Sequence, residues 1–258
     1  TGTNILAKLL KNNCDLPENG RTHFQVPWGK HNPISFRTKH VCREDEMRGI
    51  YLPQTQVLPV VMIKDPYSWM GSICRHKYQT NWPHRPDHCP NLLPDKIDVE
   101  LFSDRDVSPG KPVPVHVRFG EDESSRGVFP SMAHEWGEWN QQYYSYPGFP
   151  RVMIRYEDIL FHPKIVVEKV CSCIGGKLKE GDFIMFSDSA KGNGGVHQES
   201  SGFMEAFLRY TDVNSRFKGY HYQDLKFAKN SLDNEIMQYF GYKHPSDELI
   251  EETPPHLE

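Results

Sequence analysis

The stretch that most constrains the fold is residues 57–78, where an apolar run leads into a helix, VLPVVMIKDPYSWMGSICRHKY. Residues 57–63 are apolar and largely β-branched, which is typical of a buried strand in a parallel sheet. Lys64 follows this strand, and Asp65 and Pro66 supply an N-cap and a first-turn proline for a helix. Such a helix start favours a bound anion. The stretch therefore predicts either an anion site or an ordinary turn with a solvated lysine.

A second feature of this kind opens the chain, where Thr1-Gly2-Thr3-Asn4 leads into an amphipathic helix over residues 5–11. Glycine lets the backbone approach phosphate oxygens, and threonine hydroxyls and helix N–H groups donate hydrogen bonds to them. The pattern predicts a phosphate-binding loop, with the chain starting inside it. The alternative is a frayed terminus capped by Thr3.

Residues 151–156 form a second predicted buried strand, Arg-Val-Met-Ile-Arg-Tyr, followed by Glu157-Asp158. A helix is predicted over residues 163–174, and Gly175 ends it. Two strand–helix units of this kind imply a parallel sheet and an α/β fold.

Size and composition fit a globular protein. The 258 residues, 37% hydrophobic and 25% charged, suffice for one large α/β domain or two small ones, and we predict a single domain over residues 1–258. A net charge of −4 provides no basic field for nucleic acid, and no apolar run has the length of a membrane span. Neither a nucleic acid partner nor a membrane span is therefore expected.

Two segments lie outside the predicted units. Residues 79–130 are rich in proline and poor in periodicity, and we interpret them as an irregular insertion that forms a substrate wall or lid, with one hairpin strand over residues 113–119. Residues 246–258 are acidic and contain proline, which predicts a disordered tail.

The cysteines and histidines of the insertion do not form a recognisable metal motif. His84, His88 and Cys89 lie close together, but in a proline-rich loop this spacing does not indicate a metal site, and no metal is expected. Cys74 and Cys89 could pair in an oxidising compartment or remain buried thiols.

Together these segments resemble the sulfotransferases that use 3′-phosphoadenosine 5′-phosphosulfate (PAPS). Thr1-Gly2-Thr3-Asn4 is similar to the end of the loop that holds the 5′-phosphosulfate in that family. The family's catalytic lysine is then expected immediately before Thr1. The resemblance implies a three-layer P-loop-type fold with a central, mainly parallel sheet flanked by helices.

Other positions match further family elements. Lys64 and Ser72, eight positions apart, resemble the Arg…Ser pair that binds the 3′-phosphate, although lysine stands where arginine is usual. Tyr156 is similar to a tyrosine near the adenine, and His31 to the histidine that acts as catalytic base. In the family, a basic loop closes on the 3′-phosphate, and the segment that contains Arg216, Lys218 and Gly219 resembles this loop. Lys191-Gly192 is the competing candidate for the same role.

The resemblance implies sulfuryl transfer from PAPS to a hydroxyl or amine of a small metabolite or glycan, with 3′,5′-ADP as product and no metal. It leaves the cytoplasm and the Golgi lumen open as compartments. A P-loop kinase-like phosphotransferase is the alternative, although Gly2 is followed by Thr3-Asn4 and not by the Lys-Ser/Thr that such kinases need. A non-catalytic nucleotide-binding protein is the third interpretation.

Overall fold

The computed structural model describes residues 2–17, 26–29, 31–39, 54–119, 126–186 and 203–256. Within these residues the protein is a mixed α/β structure with ten α-helices and three small sheets. The helices are α1 (Thr3–Asn13), α2 (Pro66–Arg75), α3 (Lys96–Leu101), α4 (Met132–Ser145), α5 (Tyr156–Phe161), α6 (Pro163–Cys173), α7 (Phe203–Thr211), α8 (Tyr222–Ser231), α9 (Asn234–Tyr239) and α10 (Asp247–Glu252). The strands are β1 (Cys14–Asp15), β2 (Val60–Ile63), β3 (Thr80–Asn81), β4 (Val115–Arg118), β5 (Arg126–Phe129), β6 (Val152–Arg155) and β7 (Lys177–Leu178).

The chain divides into two compact units. The first comprises Thr1–Asp65 and Pro147–Val213, and the second comprises Pro66–Tyr146 and Asn214–Glu258. Among the described residues, no helix has both the length and the apolar character required to cross a membrane.

The first unit contains the predicted parallel pair. Strands β2 and β6 run parallel in a register that starts at Val60 opposite Val152 and ends at Ile63 opposite Arg155. The apolar face of α1 packs with α6 around Met62 and Ile159. The parallel pairing is confirmed, but the strands are four residues long and the sheet has two described strands.

A disulfide between Cys14 and Cys171 joins the end of α1 to α6 in this unit. This bond was not predicted from the sequence, because the two cysteines are 157 positions apart. Strands β1 and β7 pair in antiparallel orientation next to this disulfide. Gly176 follows α6, and a β-carbon at this position would lie 2.9 Å from both disulfide sulfurs. Glycine is therefore required where the chain turns past the disulfide.

The second unit shows that residues 79–130 are more ordered than predicted. Helix α3 and strands β3, β4 and β5 lie in this segment, and the strands form an antiparallel sheet in the order β3-β4-β5. The predicted hairpin strand is confirmed as β4, whose inward residues Val115 and Val117 are buried. The prediction of an irregular insertion did not include the other elements, because such short strands carry too little alternation to be recognised.

Part of the tail that was predicted to be disordered forms a helix. Ser246 caps α10 through its Oγ, which accepts the Leu249 N–H at 3.2 Å, and Ile250 of this helix is buried. Farther along, the His256 N–H donates to Gln223 Oε1 at 2.9 Å. An acidic, proline-containing composition thus did not prevent order, because one apolar residue and a serine cap suffice to dock a short helix.

Helix α4 carries the large aromatic residues of the second unit's core. Trp136 and Tyr143 are buried, and the Trp136 ring packs edge-on against Tyr242 with centroids 6.3 Å apart. The same helix buries Glu135, which is 6% exposed. Thr80 Oγ1 donates to Glu135 Oε1 at 3.4 Å, and Oε2 has no hydrogen-bond partner among the described residues.

Burial of Glu135 makes the stability depend on pH. Burial raises the pKa of Glu135 from 4.5 to about 8, against the opposing effect of the Thr80 hydrogen bond. Between pH 4.5 and about pH 8, the folded protein therefore keeps the Glu135 carboxyl protonated, whereas the unfolded chain releases this proton. The free energy of unfolding consequently falls as the pH rises through this range. We expect Glu135→Gln, neutral at every pH, to melt several degrees above the wild type at about pH 8.5 and close to it at about pH 4.5.

Thermal melts at both pH values check this expectation. Glu138→Gln, at an exposed position on α4, is the matched control. A gain for Glu135→Gln that is equal at the two pH values would contradict the assignment of the proton to Glu135.

Candidate functional site

The N-terminus of α1 is built by glycine. Gly2 is the N-cap residue, with φ of 66° and ψ of 3°, and its carbonyl accepts the N–H groups of Ile5 and Leu6 at 3.1 and 3.2 Å. A β-carbon at this position would overlap the ring of Tyr156, so both the backbone conformation and the close approach require glycine. The first N–H groups of a helix have no intrahelical acceptor, so those of Thr3 and Asn4 are suited to hold an anion.

Tyr156 links this helix start to the parallel strands. It is the first residue of α5, directly after β6, and its ring lies against Gly2. Lys64 lies one position beyond β2, the parallel partner of β6. Since the carboxyl ends of parallel strands meet at one edge of a sheet, Lys64 and Tyr156 are neighbours there.

The Lys64 side chain is held by aromatic rings. The residue is 9% exposed, and its Nζ lies 5.1 Å from the ring centroid of Tyr156 and 5.5 Å from that of Tyr210. The two rings pack edge to face with centroids 5.6 Å apart. Aromatic faces attract an ammonium group, so they stabilise a cation that would otherwise be costly to bury.

One acidic residue at this edge of the sheet, Glu157, accepts a backbone hydrogen bond. Glu157 is buried, and its Oε1 accepts the Asp65 N–H at 3.0 Å across the two strand ends. Its Oε2 lies 4.0 Å from Nε of Arg155. Glu157 therefore fixes the turn after Lys64.

The second unit holds the other predicted phosphate-binding residues. Ser72 lies in α2, where its Oγ donates to the Ser68 carbonyl at 2.8 Å and accepts from Arg75 at 3.2 Å. The guanidinium of Arg216 lies over the rings of Phe217 and Tyr67, at 4.5 and 5.8 Å from their centroids.

Tyr67 ties the Arg216 loop to the first turn of α2. Its ring packs edge-on against Phe217 at 5.0 Å, and its carbonyl accepts the hydroxyl of Tyr220 at 3.0 Å. Gly219 has φ of 87° and a β-carbon there would lie 2.9 Å from the Cys89 carbonyl, which again requires glycine. Lys218, between these contacts, is exposed. The structure thus brings the predicted basic loop to helix α2.

Four of the candidate residues lie in an exposed turn or outside the described part of the chain. His31 is exposed in a turn that precedes the 3-10 helix Ile34–Lys39. Thr1 and the competing Lys191-Gly192 lie outside the described residues. The roles of His31 and Thr1 therefore stay predictions.

Sequence reasoning missed the aromatic residues that hold the cations. Tyr210 completes the pair of rings at Lys64, and Tyr67 carries Arg216. The position of Tyr67, directly after the Asp65-Pro66 helix start, was the available signal. No local signal marks Tyr210, because it comes from a helix distant in sequence.

The histidine and cysteine residues singled out in residues 79–130 separate in the structure. Cys89 forms a disulfide with Cys74, which resolves the alternatives left open for this pair. His84 stacks on Trp82 with centroids 4.1 Å apart, and burial lowers its pKa. His88 instead lies fully buried between Asp98 and Asp224, as described below.

Comparison of the chain with protein-family models, curated proteins and solved structures found no match.

Proposed function

We propose that this protein is a PAPS-dependent sulfotransferase built on a three-layer P-loop-type fold. The observation that carries the proposal is the arrangement in the first unit: the glycine-capped start of α1 lies against Tyr156, whose ring holds the buried Lys64 ammonium group. A helix N-terminus beside a cation at parallel strand ends suits a ligand with more than one anionic group.

Each of these groups then has a separate role in binding PAPS. The N–H groups of Thr3 and Asn4 hold the 5′-phosphosulfate, and Tyr156 offers its ring to the adenine. Lys64 supplies a point charge for the 3′-phosphate. Within the second unit, taken by itself, Arg216 and Lys218 form a cationic loop that turns at Gly219, and the Ser72 hydroxyl lies on α2.

PAPS supplies a sulfuryl group on a good leaving group. The bond between sulfur and the bridging phosphate oxygen breaks as the acceptor oxygen or nitrogen bonds to sulfur, and the acceptor's proton passes to His31. The donors at the start of α1 stabilise charge on the departing oxygen. Binding of the remote 3′-phosphate positions the reacting group.

The proposed activity is tested by incubating the chain with radiolabelled PAPS and a panel of sugars, phenols and amines. We expect label in at least one acceptor together with release of 3′,5′-ADP. Nucleotide binding without transfer to any acceptor would favour the non-catalytic interpretation.

The two disulfides support a place in the Golgi lumen over the cytoplasm, because disulfides persist in oxidising compartments.

Replacing His31 by alanine should lower kcat by about 100- to 10,000-fold, the range that a general base contributes. Affinity for 3′,5′-ADP should stay unchanged, since His31 is assigned to the acceptor. His116→Ala, at an exposed position on β4, is the control and should leave both quantities unchanged. Near wild-type turnover in His31→Ala would mean that another base acts, with Glu157 the next candidate.

A further inference from the structure

A cluster of three histidines and one aspartate lies in the second unit and includes none of the residues assigned to PAPS. It joins three segments: His88 in the loop after β3, His221 and Asp224 at the start of α8, and His256 in the tail. The side chains of His88 and Asp224 are fully buried, and those of His221 and His256 are 21% and 11% exposed. One ligand atom from each lies within 4.8 Å of all the others.

The spacing of these atoms fits a tetrahedral zinc ion. Asp224 Oδ2 lies 3.0 Å from His88 Nε2, 3.2 Å from His256 Nε2 and 3.9 Å from His221 Nδ1. Ligands bound to zinc at the usual bond lengths stand about 3.3 Å apart at the corners of a tetrahedron. The distances from Asp224 Oδ2 are therefore close to this spacing, and the three nitrogens, which lie within 4.8 Å of one another, would move closer together around an ion.

The surroundings orient these ligands as outer-shell groups do in metal sites. Asp98 Oδ2 lies 2.6 Å from His88 Nδ1, which leaves Nε2 directed at the cluster. Asp224 Oδ1 accepts the N–H groups of Leu92 and Leu93 at 2.7 and 3.1 Å, so Oδ2 is the oxygen that faces the histidines. A carboxylate behind a histidine ligand fixes the ring and strengthens it as a donor.

Hydrogen bonding within the cluster does not account for all of its members. Asp224 Oδ2 lies within hydrogen-bond distance of the rings of His88 and His256, and it also accepts the backbone N–H of His221 at 3.2 Å. The buried Nδ1 of His221, however, has no hydrogen-bond partner in the described part of the chain. A buried polar atom without a partner is costly, and a metal ion at the cluster would give it one.

We infer that His88, His221, Asp224 and His256 bind one Zn²⁺ in a closed structural site that fastens the tail to the start of α8 and the loop after β3. Four protein ligands leave no open coordination position, which is the arrangement of structural and not of catalytic zinc. The disulfide from Cys89 to Cys74 anchors the residue beside His88 and so fixes the first ligand's loop.

Zinc content and thermal stability test this inference on the full chain without a histidine tag, stripped with chelator and dialysed. We expect one equivalent of Zn²⁺ to rebind, to raise Tm, and to be removed by chelator. Co²⁺ in its place should show the strong visible absorption of a four-coordinate ion. His256→Ala should lower zinc affinity more than about 100-fold, since even outer-shell changes cost 10- to 100-fold.

His134→Ala is the matched control, because this half-buried histidine of the same unit bonds Ser131 Oγ at 2.9 Å and lies outside the cluster. It should bind zinc as the wild type does. His221→Ala, whose side chain is more exposed, provides a second variant if His256→Ala fails to fold. Absence of zinc uptake by the wild type, or equal uptake by folded His256→Ala or His221→Ala, would overturn the inference and leave a hydrogen-bonded network.

Discussion

Replacing Lys64 by methionine lowers the affinity for 3′,5′-ADP by about 10- to 100-fold if Lys64 holds the 3′-phosphate. Hydrogen bonds to charged groups contribute about 1.5–3 kcal/mol, and methionine keeps most of the side-chain volume between Tyr156 and Tyr210 while removing the charge. Isothermal titration of each variant measures the change. Lys64→Arg should retain most of the affinity, because arginine restores the cation.

Lys77→Met is the matched control for this substitution. The Nζ of Lys77 also lies over an aromatic ring, 5.9 Å from the Trp82 centroid, but the residue is exposed and has no assigned role. Its affinity for 3′,5′-ADP should equal that of the wild type. Unchanged affinity in Lys64→Met would mean that the 3′-phosphate is held elsewhere.

The second large effect concerns stability. Arg85 is a buried arginine whose Nη1 donates to Asp95 Oδ1 at 2.7 Å and to Asp98 Oδ1 at 3.0 Å, and both aspartate side chains are fully buried. Its hydrogen bonds to Asp95 raise the pKa of Arg85 further above its ordinary value. Burial raises the pKa of Asp95, but the Arg85 hydrogen bond, the Asp98 N–H and the charges of Arg85 and His88 together lower it to about 2, so the carboxylate stays charged.

Arg85→Met should therefore lower the free energy of unfolding by about 3–5 kcal/mol, because it leaves buried carboxylates without their cation. Urea unfolding in the presence of chelator measures this without any contribution from bound metal. Lys229→Met removes one partner of an exposed pair in the same unit, 2.7 Å from Asp247, and should cost less than about 1 kcal/mol. Equal effects of the two substitutions would contradict the importance assigned to burial.

The parts of the fold that sequence predicted are those with strong local signals. Residues 57–63 and 151–156 are apolar runs followed by helix signals, and they form the parallel pair β2 and β6. Helix α6 ends where Gly175 takes φ of 75°. Such signals depend on neighbouring residues alone, so they can be read from one sequence.

Residues 230–240, whose composition predicts one helix ending before Gly241, show where local signals fail. The structure has two helices there, α8 ending at Ser231 and α9 starting at Asn234. Asp233 begins the second, since its carboxylate accepts the N–H groups of Glu235 and Ile236 at 2.9 and 3.1 Å. An aspartate within a helical pattern is a possible cap, and here the capping interaction interrupts the helix.

The candidate sites depend on contacts between distant segments, which no single stretch reveals. Tyr210 reaches Lys64 from α7, a helix that lies far from Lys64 in the sequence. His88 meets Asp224 across 136 positions, and the cluster includes His256 from the tail that sequence predicted to be disordered. The histidine cluster was invisible in sequence for this reason, although His221 and Asp224 have the i, i+3 spacing of one helix face.

We propose that this chain binds the PAPS nucleotide, and titration of 3′,5′-ADP against ATP–Mg²⁺ is the most direct test of that proposal. The arrangement of the α1 N-terminus, Tyr156 and Lys64 predicts tight binding of 3′,5′-ADP, weaker binding of ATP and no requirement for Mg²⁺. Tight, magnesium-dependent binding of ATP with no heat from 3′,5′-ADP would contradict the sulfotransferase proposal and favour a phosphotransferase.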